Sequence, residues 1–361
     1  MRAPTLLPAL LLLAAPLLAQ DQMTTIDGKV LTVKVSAMDA IEVRYKPEGS
    51  AAEKILSREK IGKLELRQSR ITSSTDYRRA LRAEAEENWG EAEEYYRKAA
   101  EKAEKSKDIQ DFAPQYLYWK AYEIARAQNA REDAADLLAA LEKTKAKHFY
   151  VPILLLRQAR NDMAVANERA ELEKAKAGIA SYQQQVKDLG LGERYGYYGE
   201  LFMTLIRARL KEIDVDAAQA AFAKILQHCE GVYPDLVNRL NVEVAYSSLN
   251  AGRFDDARKL FSGIVQSDSA DEETLARAYL GRGHTWLKAM KATPEEAQKA
   301  LADYMRVAIL YPDTDDEIVG EALYHADNAY RIWNGPNARV NRGRILGRLK
   351  GRYAETSWAK K

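Results

Sequence analysis

Histidine and cysteine are the residue types in this sequence with the widest chemistry, because they bind metals and act as acids, bases and nucleophiles. The chain has four histidines, His148, His228, His284 and His325, and a single cysteine, Cys229. A protein zinc site needs at least three ligands that converge. No histidine lies one helical turn from another, or beside a cysteine or acidic cluster at ligand spacing. The sequence therefore predicts packing or surface roles for the histidines and no metal site.

Other signatures of catalysis are also missing. The sequence contains no G-x-S-x-G, H-E-x-x-H or P-loop string, the usual signatures of nucleophilic, zinc and nucleotide chemistry. GLGERYG, from Gly190 to Gly196, contains a G-x-G but follows a polar helix and not a strand, so it predicts an interhelical turn. Cys229 has no partner for an intrachain disulfide, and we expect it to be a small buried hydrophobe. We expect no catalytic residue, no cofactor and therefore no enzyme.

The first residues have the form of a secretory signal peptide, predicted over residues 1–19. Arg2 forms a positive start, Leu6 to Leu18 form an apolar stretch, and Ala19 offers a small residue for cleavage. Gln20 follows where a lipoprotein would need a cysteine, so no lipid anchor is expected. No later run is long and apolar enough to span a bilayer. The sequence predicts an exported protein, periplasmic or extracellular, with no transmembrane segment after cleavage.

The overall charge argues against nucleic acid as a partner. The 361 residues include 55 Lys and Arg against 53 Asp and Glu, a formal net charge of +2. A nucleic-acid-binding protein usually shows a clear basic excess. Acidic residues alternate with basic ones along the predicted helices, which is typical of solvated faces and not of a catalytic acid-base pair. A partner attracted by charge must therefore meet a local patch.

Residues 21–68 have the pattern of a small β module. Alternating apolar residues such as Leu31, Val33 and Val35 predict strands, and Asp27-Gly28 predicts a turn between two of them. Four or five strands in so short a segment favour a small barrel or a curled sheet, since closure protects the strand edges. The order of apolar strand, Asp-Gly turn, strand and final Ile-x-x-Leu resembles the SH3-like and Sm-like barrels.

Beyond a polar linker at residues 69–76 the chain predicts helix, and three stretches repeat one arrangement. The clearest is NVEVAYSSLNAGRFDDARKLFSGI, with Ala245 in one helix, a turn at Gly252, and Ala257 and Phe261 four apart in the next helix. The arrangement recurs at Ala80, Trp89, Ala92, Tyr96 and Ala99, and again at Gly283, Ala300, Tyr304 and Pro312. These stretches resemble the tetratricopeptide repeat, in which helices cross closely at small residues and an aromatic side chain inserts between neighbours.

The resemblance implies a mainly α fold, a right-handed α-solenoid of six or seven helix pairs over residues 77–350. In the family, the first helix of each pair lines a concave groove that binds a protein or peptide. Members that clamp a C-terminal carboxylate carry paired Lys and Asn, but Val242 and Tyr246 stand at those positions, which implies a mixed apolar and polar groove. The matching groove positions are the partner-binding candidates Arg239, Tyr246, Asn250, His284, Lys288, Tyr324, Asn328 and Arg331.

Two further groups are candidates for contact with a partner. Tyr116 and Trp119 belong to the aromatic run QYLYWKAYE, and exposed aromatic rings make large contacts at low entropic cost. The alternative for these rings is packing between helices. The end of the chain is basic, with a patch at Arg342, Arg344, Arg348 and Arg352 and a tail at residues 351–361. The patch predicts either peripheral contact with an anionic surface or a basic capping helix.

Together these features predict a non-catalytic scaffold or adaptor of a bacterial-type cell envelope, with a protein or peptide partner. The Tyr-Pro-Asp at 311–313 and the final Ser-Trp-Ala-Lys-Lys resemble periplasmic repeat proteins of the Tol-Pal and outer-membrane assembly kind. The alternative is a structural envelope protein that self-assembles through its own groove. An enzyme with its site in the β module is disfavoured, because residues 21–68 hold no His or Cys and too little volume for a pocket.

Overall fold

The structure, a computed structural model, shows a mainly α-helical protein with a small N-terminal antiparallel sheet. It describes residues 20–67, 74–106, 109–128, 130–144, 147–166, 168–287, 292–312 and 314–361. At this level the expected fold class is confirmed. The predicted signal peptide at residues 1–19, most of the predicted linker, and Lys288 lie outside the described residues.

The N-terminal sheet has five strands in the order β4-β3-β2-β1-β5, and each neighbouring pair is antiparallel. The strands are β1 (Asp21–Thr25), β2 (Val30–Met38), β3 (Glu42–Pro47), β4 (Lys54–Ser57) and β5 (Ile61–Glu65), with a 3₁₀ turn at Arg58–Lys60 between the last two. Gly28 adopts a φ of +83° in the turn between β1 and β2, a conformation that glycine reaches without steric cost. The last strand, β5, pairs with the first strand, β1.

The sheet shares its hydrophobic core with the first helices. Val33 and Val35 of β2 are buried two residues apart, as the alternation of a half-buried strand requires. They belong to one cluster with Tyr77 and Tyr96, which are helical residues. The Tyr77 hydroxyl also donates a hydrogen bond to the carbonyl of Leu66 just after β5. The β module is therefore packed on the helices that follow it.

Fourteen α-helices follow in the described part of the chain. They are α1 (Thr75–Ala85), α2 (Trp89–Glu104), α3 (Ala113–Ala127), α4 (Arg131–Thr144), α5 (Val151–Val165), α6 (Arg169–Leu189), α7 (Glu193–Arg209), α8 (Val215–Cys229), α9 (Pro234–Asn250), α10 (Phe254–Ile264), α11 (Glu272–Leu287), α12 (Pro294–Leu310), α13 (Asp316–Trp333) and α14 (Ala338–Arg352). The Ser74 hydroxyl accepts from the Tyr77 N–H and caps α1. None of the described helices combines the length and apolarity that crossing a membrane would require.

The chain divides into two compact units, one ending at Ile206 and the other beginning at Arg207. In unit 1, each of α2, α3 and α4 packs on the helix before it, and α6 packs on α5. In unit 2, each helix from α9 to α14 packs on the helix before it. In addition, α9 contacts α11, and α11 contacts α13. Unit 2 is therefore a stack of helix pairs in which alternate helices also touch.

Glycine and aromatic residues set the close crossings in unit 2. A Cβ atom on Gly281 of α11 would lie 2.2 Å from Cζ of Phe261 in α10. A Cβ atom on Gly283 would lie 2.5 Å from Cε1 of Tyr304 in α12. Both aromatic side chains are fully buried. Because Gly281 and Gly283 have no side chain, α11 leaves room for one aromatic ring from each flanking helix.

Candidate functional site

In unit 1, the predicted aromatic contact residues take part in interhelical packing. Tyr116 of α3 is 3% exposed, and burial holds the pKa of its hydroxyl well above the usual value. Trp119 is partly buried, with its ring stacked on that of Tyr150 at a centroid distance of 4.4 Å and an interplanar angle of 8°. The Arg157 guanidinium lies 4.9 Å from the Trp119 ring centroid. The packing alternative therefore describes both side chains.

In unit 2, polar side chains of α9 and α11 form a largely buried network. Arg239 is 9% exposed, and its Nη1 donates to Oε1 of Glu273 at 2.7 Å. One turn further along both helices, Arg277 pairs with Glu243 at 2.9 Å. The Tyr246 hydroxyl donates to the backbone carbonyl of Arg277 at 3.0 Å, and burial raises the pKa of this hydroxyl. Arg239 and Tyr246 were predicted as groove residues, and both tie α9 to α11.

Ion pairs between alternate helices recur at a nearly constant separation in sequence. Arg239 and Glu273 are 34 residues apart, and so are Glu123 and Arg157, which pair between α3 and α5. Lys120 of α3 pairs with Glu84 of α1 across 36 residues. The interval shows alternate helices meeting in register within each unit.

A cluster of two histidines and a glutamate joins α11 to α13. Nε2 of His284 lies 3.1 Å from Oε1 of Glu321, and Nε2 of His325 lies 3.9 Å from the same oxygen. Nδ1 of His284 lies 3.0 Å from the hydroxyl of Tyr304. His284 is 5% exposed, whereas Glu321 and His325 are about one quarter exposed, at 27% and 23% of their side chains. One ligand atom from each of the three residues lies within 4.8 Å of the others.

Sequence reasoning found His284 as a groove residue but missed the group around it. Glu321 and His325 stand four residues apart in EALYH, so they occupy one face of a helix. That spacing was a usable signal for a pair of ligands. The third member, His284, precedes Glu321 by 37 residues and joins the pair only because α11 packs on α13.

The exposed groove candidates follow Tyr246 on α9 and His325 on α13 along the same helix faces. Asn250 follows Tyr246 by one turn at the end of α9, and Asn328 follows His325 by about one turn on α13; both are exposed. Arg331 is also exposed, and its Nε donates to Asp327 at 2.9 Å. Tyr324 of α13 is partly buried, with its ring 5.3 Å from that of Trp358. Asn250, Asn328 and Arg331 are therefore the groove candidates with the most surface for a partner.

The predicted basic patch on α14 is divided between internal contacts and solvent. Nε of Arg342 donates to Asp327 at 2.8 Å, and Nη2 of Arg348 donates to the Ala308 carbonyl at 2.8 Å. Arg344 and Arg352 are exposed. The two internal contacts tie α14 to α13 and α12.

The segment after α14 is packed against unit 2. The Tyr353 hydroxyl donates to the Pro312 carbonyl at 3.2 Å, and the side chain is 1% exposed. The Ser357 hydroxyl and N–H both donate to Glu317 at 2.8 Å. The predicted basic tail is therefore attached to α13 along part of its length.

Of the histidine and cysteine residues outside the cluster, Cys229 and His148 are buried, whereas His228 is exposed. Cys229 is 0% exposed. His148 is 1% exposed, and burial lowers the pKa of its imidazole to about 4. Its Nδ1 accepts a hydrogen bond from the Tyr150 N–H at 3.2 Å. His148 therefore packs inside the fold, which is one of the two roles expected for the histidines.

One surface cavity of about 580 Å³ lies in unit 2 along α9, α10 and the start of the next connection. The polar residues in its lining are Asn238, Asn241, Asp256, Lys259 and Ser267. Asn238 donates to the hydroxyls of Ser267 and Ser269, at 3.1 and 2.9 Å. None of the predicted partner-binding residues lines it.

Comparison with known proteins adds little to this geometry. No family model matches the chain, and no curated protein matches it. The solved structure of BtubC (BKLC) from P. vanneervenii aligns with 66% of this chain and 89% of its own, at 13% identity and a TM-score of 0.38. A similarity at this level says nothing about the type of repeat or about function.

Proposed function

We propose that the protein is a non-catalytic scaffold of a bacterial-type cell envelope, built as a tetratricopeptide-like right-handed solenoid that binds a protein or peptide. The observation that carries this proposal is the interval of 34 to 37 residues between ion-paired side chains on alternate helices. Such an interval is the expected repeat length of this architecture. Helical repeats use the surface made by alternate helices for binding, because stacking makes that surface continuous.

The binding surface we propose is the face of α9, α11 and α13 in unit 2. Its floor consists of side chains that already pair with each other, such as Arg239 with Glu273 and Arg277 with Glu243. Because these charges are already paired within the fold, few charges have to lose water when a partner binds over them, and the free-energy cost of desolvation is small. The exposed rim residues Asn250, Asn328 and Arg331 would make the specific polar contacts.

Site-specific photo-cross-linking tests this proposal. A benzophenone amino acid would replace Asn328, and a matched variant would carry it at Gln298, an exposed residue of α12. Both proteins would be expressed in the source cell, irradiated and recovered from the envelope fraction. We expect a discrete cross-linked species from position 328 and none from position 298, with mass spectrometry naming the partner.

Two outcomes would contradict the proposal. A cross-link from position 328 only to a second copy of this chain would favour the self-assembling structural protein instead. Equal cross-linking at positions 328 and 298, or none at either, would remove the face of α9, α11 and α13 as the binding surface.

A further inference from the structure

The geometry points to a metal site in unit 2, in which His284, Glu321 and His325 bind one zinc ion and clamp α11 to α13. Two imidazoles and one carboxylate are a frequent ligand set for zinc with one position left for water. Each of the three residues offers a ligand atom, and these atoms lie within 4.8 Å of one another. This inference concerns a site that does not depend on the proposed partner.

The two distances from Glu321 to the histidines are close to those in a zinc site, and all three ligand atoms lie within 4.8 Å of one another. Zinc binds nitrogen at about 2.0–2.1 Å and carboxylate oxygen at about 2.0–2.2 Å, so neighbouring ligand atoms in a tetrahedron are about 3.4 Å apart. Oε1 of Glu321 lies 3.1 Å from Nε2 of His284 and 3.9 Å from Nε2 of His325. The two separations lie on either side of the ideal value. Glu321 and His325 are on the same helix face, which keeps these two ligands together.

A buried hydroxyl orients the least mobile ligand. Nδ1 of His284 lies 3.0 Å from the Tyr304 hydroxyl, and Tyr304 is 0% exposed. A metal-bound histidine usually donates its other ring N–H to a fixed acceptor, which sets both the tautomer and the ring orientation. When Nδ1–H of His284 donates to Tyr304, its Nε2 lone pair is left for an ion bound between His284 and Glu321. Tyr304 therefore holds the His284 ring in an orientation that suits a metal ligand.

The surroundings allow an ion to enter and then hold it. Glu321 and His325 are about one quarter exposed, which leaves a path from solvent. The neighbouring side chains include aromatic rings, with the His325 ring centroid 5.3 Å from the ring centroids of both Tyr324 and Trp358. A partly apolar shell strengthens the attraction between Zn²⁺ and a carboxylate. Arg277, which interacts with Glu321 electrostatically, has Glu243 as its close partner at 2.9 Å.

Zinc titration of the full chain, purified without a histidine tag and stripped with a chelator, tests the site. A chromogenic chelator reports the competition, and Co²⁺ substitution reports the coordination through its visible absorption. We expect one ion per chain. Glu321→Gln and His325→Gln should each weaken zinc binding by about 100-fold, and Tyr304→Phe by about 10-fold. The matched control is His228→Gln, which removes an exposed histidine from α8 and should leave affinity unchanged.

Thermal unfolding separates loss of binding from loss of fold. Zinc should raise the melting temperature of the wild type and of His228→Gln, because an ion that binds only the folded state stabilises it. It should leave the melting temperature of Glu321→Gln unchanged, while that variant still unfolds cooperatively without metal. The inference is overturned if the wild type shows no stoichiometric zinc binding. It is equally overturned if Glu321→Gln and His325→Gln bind the ion as tightly as the wild type, since another site would then hold it.

Discussion

Arg282 of α11 donates to both carboxylate oxygens of Asp303 in α12, from Nε at 2.9 Å and from Nη2 at 2.7 Å. The Asp303 side chain is 3% exposed and Arg282 is 18% exposed, so the pair is nearly buried. Arg306 also donates to Asp303 at 3.0 Å, but its side chain is 47% exposed. One carboxylate thus has a buried partner from the neighbouring helix and a solvated partner from its own helix.

The two arginines should contribute very different amounts to stability. Arg282→Met removes the bidentate partner of the buried Asp303 carboxylate, and we expect a loss of about 3 kcal/mol in the free energy of unfolding. Arg306→Met removes an exposed pair and should cost less than about 1 kcal/mol. Urea unfolding followed by circular dichroism measures both. Equal effects of the two variants would show that Asp303 is solvated.

Gly281→Ala should destabilise unit 2, because the new methyl group would overlap the Phe261 ring. Overpacking of this kind costs about 1–3 kcal/mol. Gly343→Ala is the matched control: Gly343 is a helical and exposed residue of α14, and its Cβ would meet nothing within 4 Å. This control should gain up to about 1 kcal/mol, from the higher helix propensity of alanine. Phe261→Leu should relieve part of the Gly281→Ala loss, and a purely additive double variant would contradict the steric explanation.

His148 should make the protein sensitive to mild acid. Burial lowers the pKa of this imidazole to about 4, against 6.5 in the unfolded chain. The contribution of neutral His148 to the free energy of unfolding is therefore complete above pH 6.5. It is lost as the pH falls towards 4, because only the unfolded state then takes up a proton. Between pH 7.5 and 4.5 the free energy of unfolding should fall by about 2–3 kcal/mol.

The variant His148→Asn isolates this effect. The asparagine carbonyl can accept from the Tyr150 N–H as Nδ1 does, but it does not titrate in this range. Stability curves of the two proteins against pH should therefore separate below pH 6.5, with the wild type falling more steeply. Parallel curves would show that His148 takes up protons in the folded protein as readily as in the unfolded one.

Arg58 should hold the β module on the helices. Its side chain is 1% exposed, its Nε donates to the Phe149 carbonyl at 2.9 Å, and its Nη1 donates to the Ile61 carbonyl at 2.7 Å. Arg58→Met removes a donor from both carbonyls, and we expect a loss of about 2–4 kcal/mol in the free energy of unfolding. Amide exchange of β4 and β5 should accelerate. Arg44→Met, at a half-exposed position in β3, is the control and should change exchange little.

The parts of the fold that follow from local periodicity could be predicted from the sequence. Val33 and Val35 are buried as their alternation predicts, and Ala245, Ala257 and Phe261 are buried at the positions that the repeat pattern marks. These positions are readable because burial on one face imposes a period of two in strands and about 3.6 in helices. Trp89 belongs to the same pattern and yet is 44% exposed.

The parts that depend on distant contacts could not be predicted. Burial of Arg58 requires the Phe149 carbonyl, which lies 91 residues further along the chain. The sequence predicts Arg239 and His284 as groove residues, but their burial depends on partners 34 and 37 residues later. Residue type alone does not show which charged side chains will be satisfied within the fold and which will remain available to another molecule.

The shared core of the sheet and the first helices also bears on how copies of this chain can associate. A helical repeat array has an apolar face at each end, and an uncovered end can stack on another copy. Here the sheet covers the helices at the N-terminal end through Tyr77, Tyr96 and the strand residues of the same cluster. We therefore expect the helix faces that the sheet covers not to take part in end-to-end stacking with another copy.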